Sequence, residues 1–469
     1  MSEAVKKAEN PLGTKPLGGL LFSLAMPAII ANVVNAVYNI VDQIFIGQGV
    51  GYLGNAATSV AFPLTTICLA IGLMFGLGAS SGFNLELGAQ DDEKAKRIAG
   101  TAAGTLIISG VVICILVRIF LGPMLVAFGA TDQVLPYAET YAGIVSFGIP
   151  FLLFSTGTNH LVRADRSASY SMFAVVSGAV LNTILDPIFI FVFGWGIAGA
   201  AWATVISQIL SAVLLMLYFP RFKSVKFKMS DFIPRGRELW IICKLGFNSF
   251  VFQFSNLIVQ ITLNNTLRVY GEQSVYGSDI PIAVAGIVMK INVIFTSIIL
   301  GLISGAQPIC SYNYGARKYS RVRRTVKLFL TAAVVISVIF WLAFELFPRQ
   351  IISLFGDGSD LYFDYAVKYM RVYLFFVFLN GVQICCATFF PSIGKAAKGA
   401  ILSFSKQIVF LVPLMLILPV FMGIDGVMYA QPITDFLSFT MAVVFLIDEM
   451  RKMPKTDASE SAETFVINH

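Results

Sequence analysis

The residues of this 469-residue chain that could do chemistry are acids and carboxamides set in oily surroundings. In NVVNAVYNIVDQIF (32–45), Asn32, Asn35, Asn39, Asp42 and Gln43 recur at helical spacing and fall within an arc of roughly 100° on one face. In LNTILDPIF (181–189), Asn182 stands one turn before Asp186, and Pro187 removes a backbone hydrogen bond and frees the carbonyl of Thr183. A carboxylate near mid-bilayer costs about 2.5–3.5 kcal/mol on insertion scales, so both acids carry a functional expectation; helix glue with Asn partners is the structural alternative. Two carboxylates facing one low-dielectric pocket repel when both are ionised, and a proton or small cation relieves them. Such a pair can hold H+ or Na+, release it when the pocket opens to the other side, and so tie transport to an ion gradient.

The second half of the chain offers a comparison. NSFVFQFSNLIVQITLNN (248–265) repeats the polar stripe with Gln253, Asn256, Gln260 and Asn264 but has no acid, and Val412 precedes Pro413 where Asp186 precedes Pro187. The acids are therefore expected to act in the first half, while Asn35, Asn39, Asn256 and Gln260 line a shared cavity. Lys290, in IVMKINVIF, lies several residues inside its apolar stretch and is expected to face that cavity, as a gating partner for an acid or a seat for an anionic substrate group; snorkelling is the alternative. Lys406 is a second cation of this kind, and His160, beside Asn159, reads as interfacial.

These groups need helices that cross a membrane to position them. The chain is 57% hydrophobic and 13% charged, with 41 Phe and a mean hydropathy of +0.80, which excludes a set of soluble domains. Apolar stretches of roughly 20 residues, enough to span about 30 Å of hydrocarbon, recur about twelve times between Leu17 and Leu446. No leader-like segment precedes Leu17, so the first stretch is expected to be retained as a helix. The six cysteines mostly fall inside apolar stretches without CxxC spacing and read as small fillers, not as a disulfide framework or zinc site. With the N-terminus cytoplasmic, the basic residues collect on one side, from Lys6, Lys7 and Lys15 through Lys94–Arg97, Arg163, Arg166, Arg221–Lys244 and Arg317–Lys327 to Lys395, Lys398 and Arg451–Lys455. The other side has little beyond Arg268 and Arg349, so both termini are expected inside, and the net charge of +7 calls for no nucleic-acid partner.

The chain also repeats itself. GASSGFNLELGAQ begins at 78 and GAQPICSYNYGAR at 305, an offset of 227 that also relates AFG (127–129) to LFG (354–356). YAETYAGIVSF (137–147) then matches YAVKYMRVYLF (365–375), and GIAGAAWA (196–203) matches GIDGVMYA (423–430). The expected fold is an all-α integral membrane protein of twelve helices, two six-helix bundles related by an axis along the membrane normal, with a cavity between them. Its parts are a cytoplasmic segment 1–16, an N-lobe 17–219, a linker 220–238, a C-lobe 239–448 and a cytoplasmic tail 449–469. The linker alternates basic and apolar residues and is expected along the inner leaflet, or as a solvated basic loop. GLMFGLGASSG (72–82) has small-residue spacing for close helix packing, without the strand and helix context of a phosphate loop.

The chain resembles the multidrug and toxic compound extrusion (MATE) family of the MOP superfamily, and within it the DinF-type and MepA-like branch. The resemblance runs from about Leu17 to Leu446 and is carried by the twofold repeat, Pro27 with YNIVDQIFIG (38–47), NHLVRADRSASYSM (159–172), LNTILDPIFIF (181–191) and QPICSYNYGARKY (307–319). It implies a V-shaped pair of bundles that exports amphiphilic, often cationic compounds in exchange for H+ or Na+ by alternating access. It also implies a first-half cation site of Asp42 and Tyr38, Asn182 and Asp186, Thr204, and Tyr141 and Asn159. Gln307, which opens the last motif, joins Asn35, Asn39, Asn256, Gln260 and Lys290 as a cavity candidate. The NorM-type branch uses acids on the seventh and tenth helices; Asn256 and the neutral NGVQICC run (380–386) stand in those regions, so no second-half ion site is expected.

The reading is an ion-coupled efflux antiporter in the plasma (inner) membrane, a monomer acting on small amphiphiles, with no cofactor beyond H+ or Na+ and no metal beyond a Na+ at the acid pair. No grouping of nucleophile, base and oxyanion donors suggests an enzyme. The rivals are a lipid-linked saccharide flippase of the same superfamily, which wants a strongly basic cavity, and an uncoupled channel or scaffold.

Overall fold

The computed structural model describes residues 10–277, 279–354, 359–454 and 457. Lys6, Lys7 and Lys455, Phe355 and Gly356 of the LFG repeat motif, and most of the expected C-terminal tail lie outside the described residues. The regular structure of the described residues is all helical, as apolar stretches in hydrocarbon must be, since a helix satisfies its own backbone polar groups. The membrane helices of the N-lobe are α1 (Leu17–Val50), α2 (Tyr52–Gly88), α3 (Asp92–Ile119), α4 (Leu135–Ala164), α5 (Ala168–Pro187) and α6 (Gly196–Met216). The C-lobe has α7 (Gly236–Glu272), α8 (Asp279–Gly315), α9 (Tyr319–Leu346), α10 (Asp360–Tyr373), α11 (Val377–Ser392), α12 (Ala396–Phe404), α13 (Val412–Met422) and α14 (Ile424–Lys452). Among the described residues eleven helices are long and apolar enough to cross a membrane, and α10 with α11, bent by 47°, makes a twelfth span. Neither proline nor glycine stands at that bend, Leu374–Phe376. α5 runs into a π-helical turn, Ile188–Val192, directly after Pro187, closed by Phe193 N–H donating to the Ile188 carbonyl at 2.9 Å.

Backbone geometry repeats with the sequence. Gln90 and Arg317, 227 residues apart, close the equivalent turns after α2 and α8 with positive φ, 64° and 56°. Gly196 and Gly423 do the same at the entries to α6 and α14, with φ of 54° and 59°, where glycine has no Cβ penalty.

The lobes meet at the end of the molecule that carries the basic loops, through glycines. A Cβ on Gly88 would stand 2.1 Å from the carbonyl oxygen of Tyr312, and one on Gly315 2.0 Å from that of Leu85. Since 315 and 312 are 88 and 85 shifted by the same 227, α2 and α8 cross reciprocally. α2 packs on α7 in the same manner, Gly78 against Ile242 and Gly246 against Met74, as α8 packs on α1, Gly305 against Ala25 and Gly301 against Ile29. The short helix Pro11–Thr14, capped by Asn10, adds a strap: Leu12 is buried, its carbonyl accepts from Asn313 Nδ2 at 2.9 Å, and the carbonyl of Lys15 accepts from Arg321 at 2.8 Å. The linker folds back on the N-lobe. Phe219, Phe222, Phe227 and Phe232 cluster, and the carbonyls of Asp231 and Phe232 press on Gly100 and Gly104 of α3. Asp165, fully buried, accepts from Lys223 N at 2.6 Å, Ser224 N at 2.9 Å and the Tyr218 hydroxyl at 2.8 Å, which pins the start of the linker.

Candidate functional site

A cavity of about 510 Å³ lies between the lobes and extends into the N-lobe between α1, α4, α5 and α6. Its polar wall includes Asn32, Asn35, Tyr38, Asn39 and Asp42 from α1, Tyr141 and Asn159 from α4, Asn182 from α5 and Thr204 from α6. Four of the five stripe residues, Asn32, Asn35, Asn39 and Asp42, therefore line this cavity, while Gln43 turns to α2. Asn39 Nδ2 bonds the Asn35 carbonyl at 2.6 Å, Asn32 reaches Ser297 of α8 at 3.4 Å, and Gln43 accepts from Thr58 of α2 at 3.2 Å.

Asp42 and Asp186, 8% and 0% exposed, approach within hydrogen-bonding range of each other. Asn182 Nδ2 lies between Asp186 Oδ1 at 3.4 Å and Thr204 Oγ1 at 3.5 Å, and Thr204 also pairs with Tyr141. One oxygen on each group, Asp42 Oδ1, Asp186 Oδ2 and Asn182 Oδ1, is buried with no donor among the described residues. Three unfilled acceptors around two carboxyls make a receptor for a proton or a small cation, because buried acceptors without partners are costly. Each residue comes from a different helix of the N-lobe or from a distinct turn of one, so the site exists only when α1, α5 and α6 are packed.

Four cavity candidates do not line this space. Gln307 is 4% exposed and donates to Ser81 Oγ at 2.7 Å, so it belongs to the seal between α2 and α8. Asn256 accepts from Gln407 at 2.8 Å and is held within the C-lobe. Gln260 and Lys290 are exposed. At 100° per residue Gln260 continues the face of Ser249, Phe252 and Gln253, and Lys290 that of Val293 and Ser297, but both stand toward the end opposite the basic loops, beyond the cavity wall. Their spacing is right and their depth is not.

Two features escape a reading by spacing alone. His160 and Arg163, counted above as interfacial and as inside charges, both line the cavity. The signal was present, since Asn159, His160 and Arg163 share a face of α4 with Leu152 and Thr156. The C-lobe is also not free of acid. Asp435 of α14, 2% exposed, pairs with Lys406 at 3.1 Å and accepts from Gln431 at 3.1 Å, while Lys406 also donates to Asn380. Lys406 neutralises that acid, and neither lines the cavity.

A family model described as MatE matches this chain twice, over residues 27–188 and again over 254–417, one copy in each lobe. The chain belongs to the MatE family. Membership makes it a membrane transporter and not an enzyme, and the double match falls on the repeat read from the sequence. Among MatE relatives, the multidrug export protein MepA of Staphylococcus aureus is 25% identical over 451 residues, covering 96% of this chain and 97% of its own. MepA of Staphylococcus saprophyticus is 24% identical over 448 residues, covering 94% and 96%. A solved outward-facing multidrug resistance MATE transporter of the MOP superfamily superposes with a TM-score of 0.89 at 24% identity, over 96% of this chain and 99% of that one. A MOP superfamily transporter from Pyrococcus furiosus, described as having a binding pocket of reversed polarity, gives 0.88 at 24% identity, over 95% and 98%.

Proposed function

We propose that this protein is a multidrug efflux antiporter, exporting amphiphilic, often cationic organic compounds in exchange for H+ or Na+ by alternating access. The observation that carries the reading is the meeting of Asp42 and Asp186, with oxygens that no donor among the described residues reaches, beside a cavity between two lobes sealed at one end. A carboxyl pair that takes up one cation when empty and yields it when the cavity changes sides couples a gradient to movement of the lobes. The naming of the MepA relatives as multidrug export proteins supports the cargo. The clustering of basic residues at the sealed end supports cytoplasmic termini in a plasma membrane, with the cavity facing outward. The cation site consists of Asp42, Asp186, Asn182, Thr204, Tyr38 and Tyr141, with Asn159 deeper in the same wall; its carboxylate, amide and hydroxyl oxygens suit H+ and Na+ alike.

The test is efflux of a cationic dye from proteoliposomes under a pH gradient and, separately, a Na+ gradient. One gradient is expected to drive efflux, and Asp42→Asn with Asp186→Asn to abolish the driven component. Efflux indifferent to both gradients, or undiminished in the double variant, overturns the coupling.

A further inference from the structure

The inner part of the cavity wall holds a cation that no acid among the described residues pairs with. Arg163, at the basic end of α4, is 3% exposed and lines the cavity. Its Nε donates to Ser171 Oγ at 3.2 Å, and the Ser171 hydroxyl in turn donates to Asn159 Oδ1, so the guanidinium is held in one orientation. Its Nη1 is buried with no partner among the described residues. The adjacent acid is not available, because Asp165 spends its oxygens on Lys223 N, Ser224 N and Tyr218. None of the ion pairs among the described residues includes Arg163. The acid pair is too far to serve. Ser171 and Asp186 lie on one helix fifteen residues apart, about 22 Å at 1.5 Å per residue, against the roughly 4 Å of an ion pair.

A buried guanidinium without a counter-charge is costly, and a fixed fork with a free N–H matches a carboxylate. Beside it the wall offers His160 as a second polar group and Leu73, Leu77 and Val175 as apolar surface.

We propose that Arg163 anchors an anion-binding subsite at the inner end of the cavity, and that the exported compounds include amphiphiles bearing a carboxylate. This rests on the efflux reading above. Its geometry keeps the two poles independent: a compound held at Arg163 cannot also reach the acid pair about 22 Å away, so the pair stays free to load its cation.

The test uses a xanthylium dye with a free carboxylate and its methyl ester, which share one cationic ring system. Binding of each to purified protein in nanodiscs of zwitterionic phospholipid is read by fluorescence anisotropy. Wild-type protein is expected to bind the carboxylate form about tenfold more tightly than the ester. Arg163→Gln should bring that ratio to about one, and Arg163→Lys, which keeps the charge without the fork, should leave it in between. A wild-type ratio of one, or a ratio that survives Arg163→Gln, overturns the proposal. So does equal loss of both dyes in Arg163→Gln and Arg163→Lys, the mark of a structural role. If anionic phospholipid abolishes the preference, the subsite belongs to a lipid headgroup and the substrate assignment falls. Where Arg163→Gln does not fold, Arg163→Lys and competition in wild-type protein by benzoate against benzamide carry the same decision. Gradient-driven efflux of the ester with a ratio of one sinks this inference alone; efflux of neither dye sinks the antiporter reading with it.

Discussion

The reciprocal crossing of α2 and α8 makes a quantitative prediction about which end of the molecule opens. A methyl group on Gly88 would stand 2.1 Å from the carbonyl oxygen of Tyr312, where ordinary contact begins at 3.4 Å, so the helices must part by about 1.3 Å. The neighbour is backbone on a rigid helix and cannot swing aside. Overpacking of this kind costs about 1–3 kcal/mol, and it is felt in the state in which this end is closed. Gly88→Ala should therefore shift the equilibrium between lobe arrangements by about 5- to 150-fold toward opening at the basic end, and Gly315→Ala, its repeat partner, by a similar factor. Gly286→Ala on α8 is the control, because it gives the same gain in helix propensity with nothing within 4 Å of the new methyl. The assay is the distance distribution between spin labels at Glu93 and Lys452, exposed residues of the two lobes at that end, in protein with Cys114 and Cys243 replaced by Ser. A long-distance population that grows in Gly88→Ala and Gly315→Ala but not in Gly286→Ala is expected. Identical distributions in all three would refute the claim that glycine contact holds this end shut.

Two further substitutions test what holds the lobes themselves. Lys406→Met leaves Asp435 buried without its cation and should destabilise the C-lobe by about 3–5 kcal/mol, whereas Lys406→Met with Asp435→Leu should recover most of that loss; thermal unfolding in detergent compares them. Asp165→Ala orphans the N–H groups of Lys223 and Ser224 and the Tyr218 hydroxyl, at about 1–3 kcal/mol for each donor left unsatisfied. It should speed protease cleavage within 221–235 at least tenfold, read by gel.

The sequence by itself determined the class of fold and its symmetry. Hydrocarbon enforces helices of a set length, and the 227-residue offset that aligns GASSGFNLELGAQ with GAQPICSYNYGAR is the offset that relates Gln90 to Arg317 and Gly88 to Gly315 in space. It also singled out Asp42 and Asp186, since an acid in an apolar run announces its own cost. What periodicity supplies is the face on which a residue lies; it says nothing of the depth at which a helix meets its neighbours. Lys290, Gln260 and Gln307 therefore lie on plausible faces yet outside the cavity, while Arg163, hidden among the charges of an inside loop, is in its wall. The same limit hid Asp435, whose partner Lys406 lies in the π-helical segment Ser405–Leu411 that follows α12. Which charges remain unpaired is decided by contacts between helices far apart in the chain. That is why the tertiary structure was needed to separate the neutralised pair of the C-lobe from the free guanidinium of the N-lobe.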